Sequence, residues 1–406
     1  MSSPTPPSID VTQAQRIIDH HFGGTDDHST IVKLVELENQ GYSHTPDLKT
    51  YVADLQKPGS SSPPSSSCFI TISHPTLTPP HASIIDVIYP RPSLPLIAHL
   101  LSLIRTHTSI PIRESTLDTS LSTIPFHYLL SPLSPFPSHT LISLPLARAS
   151  GLLSPQAQLS IELLLGQFLG QLHSGVQNDW YGLPIFGPGE GGGDERYSWQ
   201  ETFTGLMDRV LTELEVREHE YELGITYSDV HRYLSRAIAS FLFDDVEVPS
   251  LVWLTGSEHD IYITLPSPSP SSSSHPSLPP ASSPTPGTIA AILPNITHAL
   301  WGDPLLESLM MGPALGEGPS RAFMEGYAGG GGGPVLVFAR QKTKRMWYTL
   351  FLAGVVLLRY GPGNQNEDGE GEGEEEEEEE WIGEKRRWAR DVIGQCVERL
   401  RDAPCY

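Results

Sequence analysis

Apolar positions fall in short, separated blocks along this chain, and the spacing inside each block predicts its element. Residues 11–22, VTQAQRIIDHHF, repeat apolar side chains at helical spacing and predict a short amphipathic helix. Residues 31–38 and 49–55 have strand character, with a turn-rich stretch, 39–46, between them. A Ser/Pro linker at 59–67 precedes a β-type run at 68–73. Residues 94–106 predict a helix that stops before Ser109-Ile110-Pro111. Strand, turn, strand, insertion, strand, helix is the order of a small sheet with one helix packed on it.

Farther along, the pattern turns mainly helical. Residues 156–173 form the clearest helix, with Leu159, Leu163, Phe168, Leu169 and Leu172 near one face. Ser154-Pro155 supplies an N-cap and a first-turn proline for it. Helices are also predicted over 199–214, 230–243, 345–359 and 381–401, and an apolar strand pair over 250–265 and 288–293. Between those strands lies a Ser/Pro-rich loop, 266–287, too polar to pack and expected to be disordered. That loop, the glycine run 329–333 and the stretch 361–380 read as surface insertions, since loop closure costs entropy that grows only slowly with length. No internal repeat is visible.

Composition changes this picture in three ways. Hydrophobic residues are only 38% of 406, but the Pro, Ser, Gly and Glu runs absorb the deficit and leave the blocks able to form a core. The net charge is −23, and eleven of the acidic residues lie between 367 and 380. No basic stripe exists to bind nucleic acid, and an acidic surface repels anionic lipid headgroups. Three cysteines, Cys68, Cys396 and Cys405, show no metal-binding spacing and suit a reducing compartment. The Ser/Pro-rich start does not read as a signal peptide, and the longest apolar stretch, 347–358, is shorter than a membrane span. A cytoplasmic protein is expected.

Several segments, taken in order, resemble the aminoglycoside-phosphotransferase and choline-kinase families, in a fungal branch. Residues 105–111, RTHTSIP, resemble the segment REHTSIP that closes the N-lobe helix, and 165–173, LGQFLGQLH, the helix before the catalytic loop. Residues 198–203, SWQETF, resemble SWRETF; 298–304, HALWGDP, resemble the xALWGDP tail after the metal-binding aspartate; and 321–327, RAFMEGY, resemble FLEGY. The resemblance implies an α+β, two-lobed protein-kinase-like fold. Its parts are an N-terminal helix and tail (1–30), an N-lobe with a small sheet and one helix (31–145), and a larger, mainly helical C-lobe (146–406).

Phosphoryl transfer needs a cation on the nucleotide phosphates, oxygen ligands for Mg2+ and a carboxylate near the attacking hydroxyl. The resemblance places these on a β3 Lys or Arg, a helix Glu paired with it, an H-G-D-x-x-x-x-N loop and a later Asp. Aligned on LVHGDLxPxNIYV, residues 251–263 put Trp253 at the loop His, Thr255 at the catalytic Asp and Asp260 at the metal-binding Asn. Thr255 carries no charge with which to act as a base. Counting back from Gly302-Asp303-Pro304 puts Asn295 at the later Mg2+ aspartate, where a neutral amide is the poorer ligand. Thr71 and Ile97 stand near the expected β3 cation and helix Glu, and the phosphate turn retains only Gly41. Asp303 is expected to hold its loop through backbone hydrogen bonds.

Three readings follow. The first is a pseudokinase that binds a small molecule or a protein partner between its lobes without ordinary phosphoryl transfer. The second is an ATP-dependent small-molecule kinase with unusual metal ligands, Asp260 and Asn295, and Glu258 replacing the missing base. The third is a kinase fold turned to other chemistry, with Glu258, His259 and His298 as acid/base groups. ATP and Mg2+ are expected as cofactors only where kinase-type binding persists. Asp19-His20-His21 sets two histidines at diverging helix positions, a poor arrangement for one metal.

Overall fold

The computed structural model describes residues 7–22, 29–37, 48–57, 66–75, 89, 92–133, 140–185, 196–253, 256–264, 288–294, 296–312, 314–333, 339–361 and 380–405. The chain first forms helix α1 (Val11–Phe22) and then strands β1 (Thr30–Glu36), β2 (Leu48–Gln56) and β3 (Ser66–Ser73). Helix α2 (Leu94–His107) follows, then β4 (Thr116–Asp118) and β5 (His127–Pro132). These five strands make one antiparallel sheet in the order β1-β2-β3-β5-β4. The Ser/Pro insertion is shorter than its composition implies, because Ser66 and Ser67 already pair with Leu55 and Asp54 in the β2–β3 ladder.

Strand alternation gives this sheet two different faces. Tyr51, Ala53, Leu55, Ile70, Ile72 and Leu130 point to one side and pack against Ala14, Ile17 and Ile18 of α1. His21 of α1 bonds the Tyr128 hydroxyl at 2.9 Å, and that hydroxyl donates to Asp118, so α1 is fastened to the sheet by a polar chain as well. The opposite face turns toward the rest of the molecule, where Leu48 and Leu129 join the main core with α2.

The second lobe opens with β6 (Leu141–Ser143), α3 (Leu144–Ala149) and α4 (Pro155–Gly175). Ser154 caps α4 by accepting the Ala157 N–H at 3.2 Å. Helices α5 (Trp199–Val216), α6 (Glu218–Tyr221) and α7 (Tyr227–Ala239) follow, and Ser198 caps α5. Strand β7 (Ser250–Trp253) pairs with β10 (Ala299–Gly302), while β6, β8 (Ile261–Thr264) and β9 (Ile289–Ile292) make a three-stranded sheet. The single strand expected over 250–265 is thus two strands in different sheets, split by a turn. Helices α8 (Arg321–Gly329), α9 (Ala339–Tyr360) and α10 (Glu380–Leu400) complete the lobe. The loops 266–287 and 362–379 lie outside the described residues.

Helices α4 and α8 touch backbone to backbone. A Cβ at Gly166 would fall 1.9 Å from the Phe323 carbonyl oxygen, and one at Gly326 1.9 Å from that of Leu163. Gly170 and Gly330 make equally close approaches to Tyr327 and Gln167, at 2.2 Å. The glycine run read as an insertion is therefore packed in its middle, from Gly330 to Gly332, and open at both ends. Leu159 and Leu163, placed with Phe168, Leu169 and Leu172 by periodicity, are exposed, because the buried stripe of α4 runs through Ile161, Leu165, Phe168 and Leu172 instead.

Candidate functional site

The ladder between β7 and β10 pairs Ser250 with Gly302 and Trp253 with Ala299, so the two strands that carry the kinase-like motifs lie side by side. The chain then turns at Gly256, whose N–H donates to the Trp253 carbonyl at 3.1 Å. A side chain here would be tight: a Cβ at Gly256 would sit 3.0 Å from the Trp253 indole, which would have to give by a few tenths of an ångström. A single 3-10 turn (Glu258–Asp260) follows and closes on itself. Ser257 Oγ accepts the His259 N–H at 3.1 Å, and Asp260 Oδ2 accepts the Ser257 N–H at 2.8 Å.

Asp260 is almost wholly buried, at 1% exposure, and its other oxygen, Oδ1, has no hydrogen-bond partner. Burial pushes its carboxyl up to about 8, so at neutral pH it is largely protonated. A neutral carboxyl with one oxygen engaged in its own turn is a poor ligand for Mg2+, which demands several charged or polar oxygens in octahedral array. The Asp260 carbonyl also accepts the Leu293 N–H at 2.8 Å, which ties this turn to β9. Among the described residues, no group of three or more His, Cys, Asp or Glu is placed to hold a metal ion. Thr255, Asn295 and Gly41 lie outside the described residues.

Neither N-lobe position singled out for a kinase charge carries one. Thr71 is buried, its hydroxyl 3.0 Å from that of Thr50 across the β2–β3 ladder. Helix α2 contains no Asp or Glu, and Ile97 is buried in the main core. Lys49 of β2 is engaged by Glu36 at 2.7 Å. Between the sheet and the β6–β8–β9 sheet, Phe69, Leu133, Ala291 and Leu293 form one buried cluster, joined by Val52, Leu141 and Tyr262. The Phe69 and Tyr262 rings stand 6.1 Å apart across it. The spaces left beside this joint and beneath the 256–260 turn are about 10 and 20 Å3. Each holds about one water. The described residues give ATP and Mg2+ no cluster of metal ligands.

The acid/base candidates are given separate partners. Glu258 pairs with Arg148 of α3, a contact that pins the turn to that helix. His298 is fully buried, with Nε2 3.0 Å from Arg359 Nη2 and its carbonyl accepting the Tyr89 hydroxyl at 2.9 Å. Of the three only His259 is exposed, and its ring is still partly desolvated, which lowers its pKa.

Asp303 sits at the centre of a buried network. Oδ1 accepts the Leu305 N–H at 2.9 Å, and Oδ2 accepts the Tyr348 hydroxyl at 2.7 Å and meets Lys344 Nζ at 2.6 Å. Tyr348 in turn accepts the Trp199 indole N–H at 2.7 Å. Three segments far apart in sequence are joined this way, and each bond satisfies a group that burial would otherwise leave costly. A second cluster escaped the sequence reading. Glu307 Oε2 accepts the Trp253 N–H at 2.8 Å and lies 3.7 Å from His173 Nε2, while His173 Nδ1 is 3.0 Å from the Tyr327 hydroxyl. Its only sequence signal was His173 closing the LGQFLGQLH helix.

No family model matches the sequence, and no curated protein matches it. The fold is similar to that of a candidate aminoglycoside phosphotransferase from Ralstonia eutropha JMP134, at a TM-score of 0.54 and 12% identity over 98% of this chain and 100% of that one. A looser likeness, TM-score 0.46 and 12% identity over 98% and 100% of the two chains, is to spectinomycin phosphotransferase in complex with ADP and spectinomycin. The first likeness establishes a two-lobed kinase-like fold, and at that identity it speaks for the fold alone.

Proposed function

We propose that this protein is a pseudokinase, a kinase-like scaffold that works by binding a small molecule or a protein partner and does not transfer phosphoryl groups. One observation carries the reading: the joint between the lobes is packed with Phe69, Leu133, Ala291, Leu293 and Tyr262, beside a sheet that turns Thr71 inward where a phosphate cation is needed. The absence of any acid on α2 supports it independently. The reading with unusual metal ligands is disfavoured by Glu258, which is committed to Arg148, and by the neutral, buried Asp260.

A cytoplasmic setting is part of the proposal, supported by three free, buried thiols at Cys68, Cys396 and Cys405. Among the described residues, no helix is long and apolar enough to cross a membrane. Titration with ATP and Mg2+ tests the reading: no rise in melting temperature and no ADP release with hydroxyl- or amine-bearing metabolites is expected. A metal-dependent rise, or turnover lost in Asp260→Ala, overturns it.

A further inference from the structure

Helix α1 lies on the face of the N-lobe sheet that turns away from the rest of the molecule, with Ala14, Ile17 and Ile18 buried against it. Its last turn carries His20, exposed, and His21, half-buried. Adjacent helix positions diverge, yet these two rings meet edge-on with centres 4.8 Å apart. His21 also stands edge-on to Tyr128 of β5, at 5.7 Å.

The hydrogen bonds around Tyr128 fix the His21 tautomer. Bonds from Ser120 hold the Asp118 carboxyl of β4 below the usual carboxylate range, and the Ser120 N–H reaches Oδ1 at 2.7 Å. An ionised carboxylate only accepts, so the single Tyr128 hydroxyl proton goes to Asp118 Oδ2, at 2.9 Å. The Tyr128 oxygen is left to accept, and His21 Nε2 donates to it across 2.9 Å. Neutral His21 therefore already makes this bond. A proton added at Nδ1 gains nothing from it and puts a full charge in a half-buried place beside the His20 ring. Asp118 attracts that charge, but burial and His20 prevail and hold the pKa of His21 below 6.5. Strand β1, which meets α1 where Gln15 accepts the Ile31 N–H at 2.8 Å, sets no charge against His21.

We propose that α1 is a pH-sensitive strap: neutral His21 keeps it on the sheet, and acidification lets it lift and uncover the apolar face beneath. The direction follows from linkage. Lifted into water, His21 binds a proton near 6.5; docked, it binds one only at lower pH. Docking is therefore strongest above 6.5 and weakens as pH falls through that window. A single histidine limits the effect: at about pH 5.5 the lifted form gains at most about tenfold. The face uncovered includes Tyr51, Ile70 and Ile72, and the free thiol of Cys68 is buried in the same cluster.

The test is hydrogen exchange of the full chain at about pH 7.5 and about pH 5.5, corrected for intrinsic rates. Protection of the α1 amides should fall by up to about tenfold at the lower pH while that of the α4 amides holds. Alkylation of Cys68, scaled to free cysteine at each pH, should quicken alongside it. His21→Gln keeps an N–H for Tyr128 and cannot take a charge, so its α1 should show no such fall. If that variant docks α1 poorly at both pH values, His20→Gln decides. It removes the repelling ring and leaves His21 in place, so its fall should be smaller than the wild type's. The proposal is overturned if wild-type α1 is equally protected at both pH values, or if α4 loses protection in step with it. It is equally overturned if the fall in His21→Gln, or in His20→Gln where that variant decides, matches the wild type's.

Discussion

Substituting Gly166 with alanine adds one methyl group at the tightest point between α4 and α8. The added carbon would lie 1.9 Å from the Phe323 carbonyl oxygen and 2.8 Å from both the Phe323 carbonyl carbon and the Tyr327 nitrogen. All three are backbone atoms, so no rotamer change relieves the contact. The helices must separate by more than about 1 Å, which loosens every contact along the pair, and overpacking of this kind costs about 1–3 kcal/mol and occasionally more. Alanine returns up to about 1 kcal/mol through helix propensity. A net loss of about 2 kcal/mol is expected, read as a lower urea midpoint at unchanged slope. Gly394→Ala in α10 is the control: nothing lies within 4 Å of its added carbon, so propensity alone acts and stability should rise. Gly326→Ala meets the Leu163 carbonyl at the same crossing, so adding it to Gly166→Ala should cost much less than it does alone. If Gly166→Ala is as stable as the wild type, or if the two losses simply add, the close-crossing argument is wrong.

Tyr348→Phe removes the acceptor of the Trp199 indole and one donor to Asp303, both buried, and should lower stability by about 2 kcal/mol in thermal unfolding. Phe69→Ala empties the interlobe joint and should cost about 3–5 kcal/mol in urea unfolding, by lost burial and the cavity left behind. Stability should also depend on pH through Asp260 and Lys385. Burial raises Asp260 from 3.8 to about 8, so between those values the folded chain keeps a proton that the unfolded chain has lost, and stability falls as pH rises. Burial lowers Lys385 from 10.5 to about 8, so between 8 and 10.5 the unfolded chain holds the extra proton and stability rises again. Denaturation midpoints across this range should flatten below pH 8 in Asp260→Asn and above it in Lys385→Met.

Much of the architecture is legible in local patterns, because helix starts are local chemistry. Ser154-Pro155, Ser198 and Ser320 each precede a helix they cap, each accepting an N–H three residues ahead. Strands β2 and β3 show in their apolar, β-branched runs. Strand β5 does not, since His127–Pro132 carries turn-type residues at its ends and is recognised only by the partners it finds in β3 and β4. Leu159 and Leu163 have the right period for burial, yet the face that packs runs through Ile161 and Leu165, and period alone does not say which face a neighbouring helix will cover. The alignment of Thr71, Ile97 and Asn295 with a kinase's Lys, Glu and Asp rests on sequence; of the three the structure describes Thr71 and Ile97, both buried.

What remained for the tertiary structure was environment. Asp260 reads as a retained metal ligand, and a carboxylate in water would be one. Buried in its own turn, with Oδ2 bonded to the Ser257 N–H, its carboxyl is pushed up to about 8 by burial. Trp199, Asp303 and Tyr348 lie far apart in sequence and form one hydrogen-bond network in space. Burial and long-range pairing depend on segments far apart in the chain, and no local pattern encodes the dielectric or the neighbours that a side chain meets once those segments close around it.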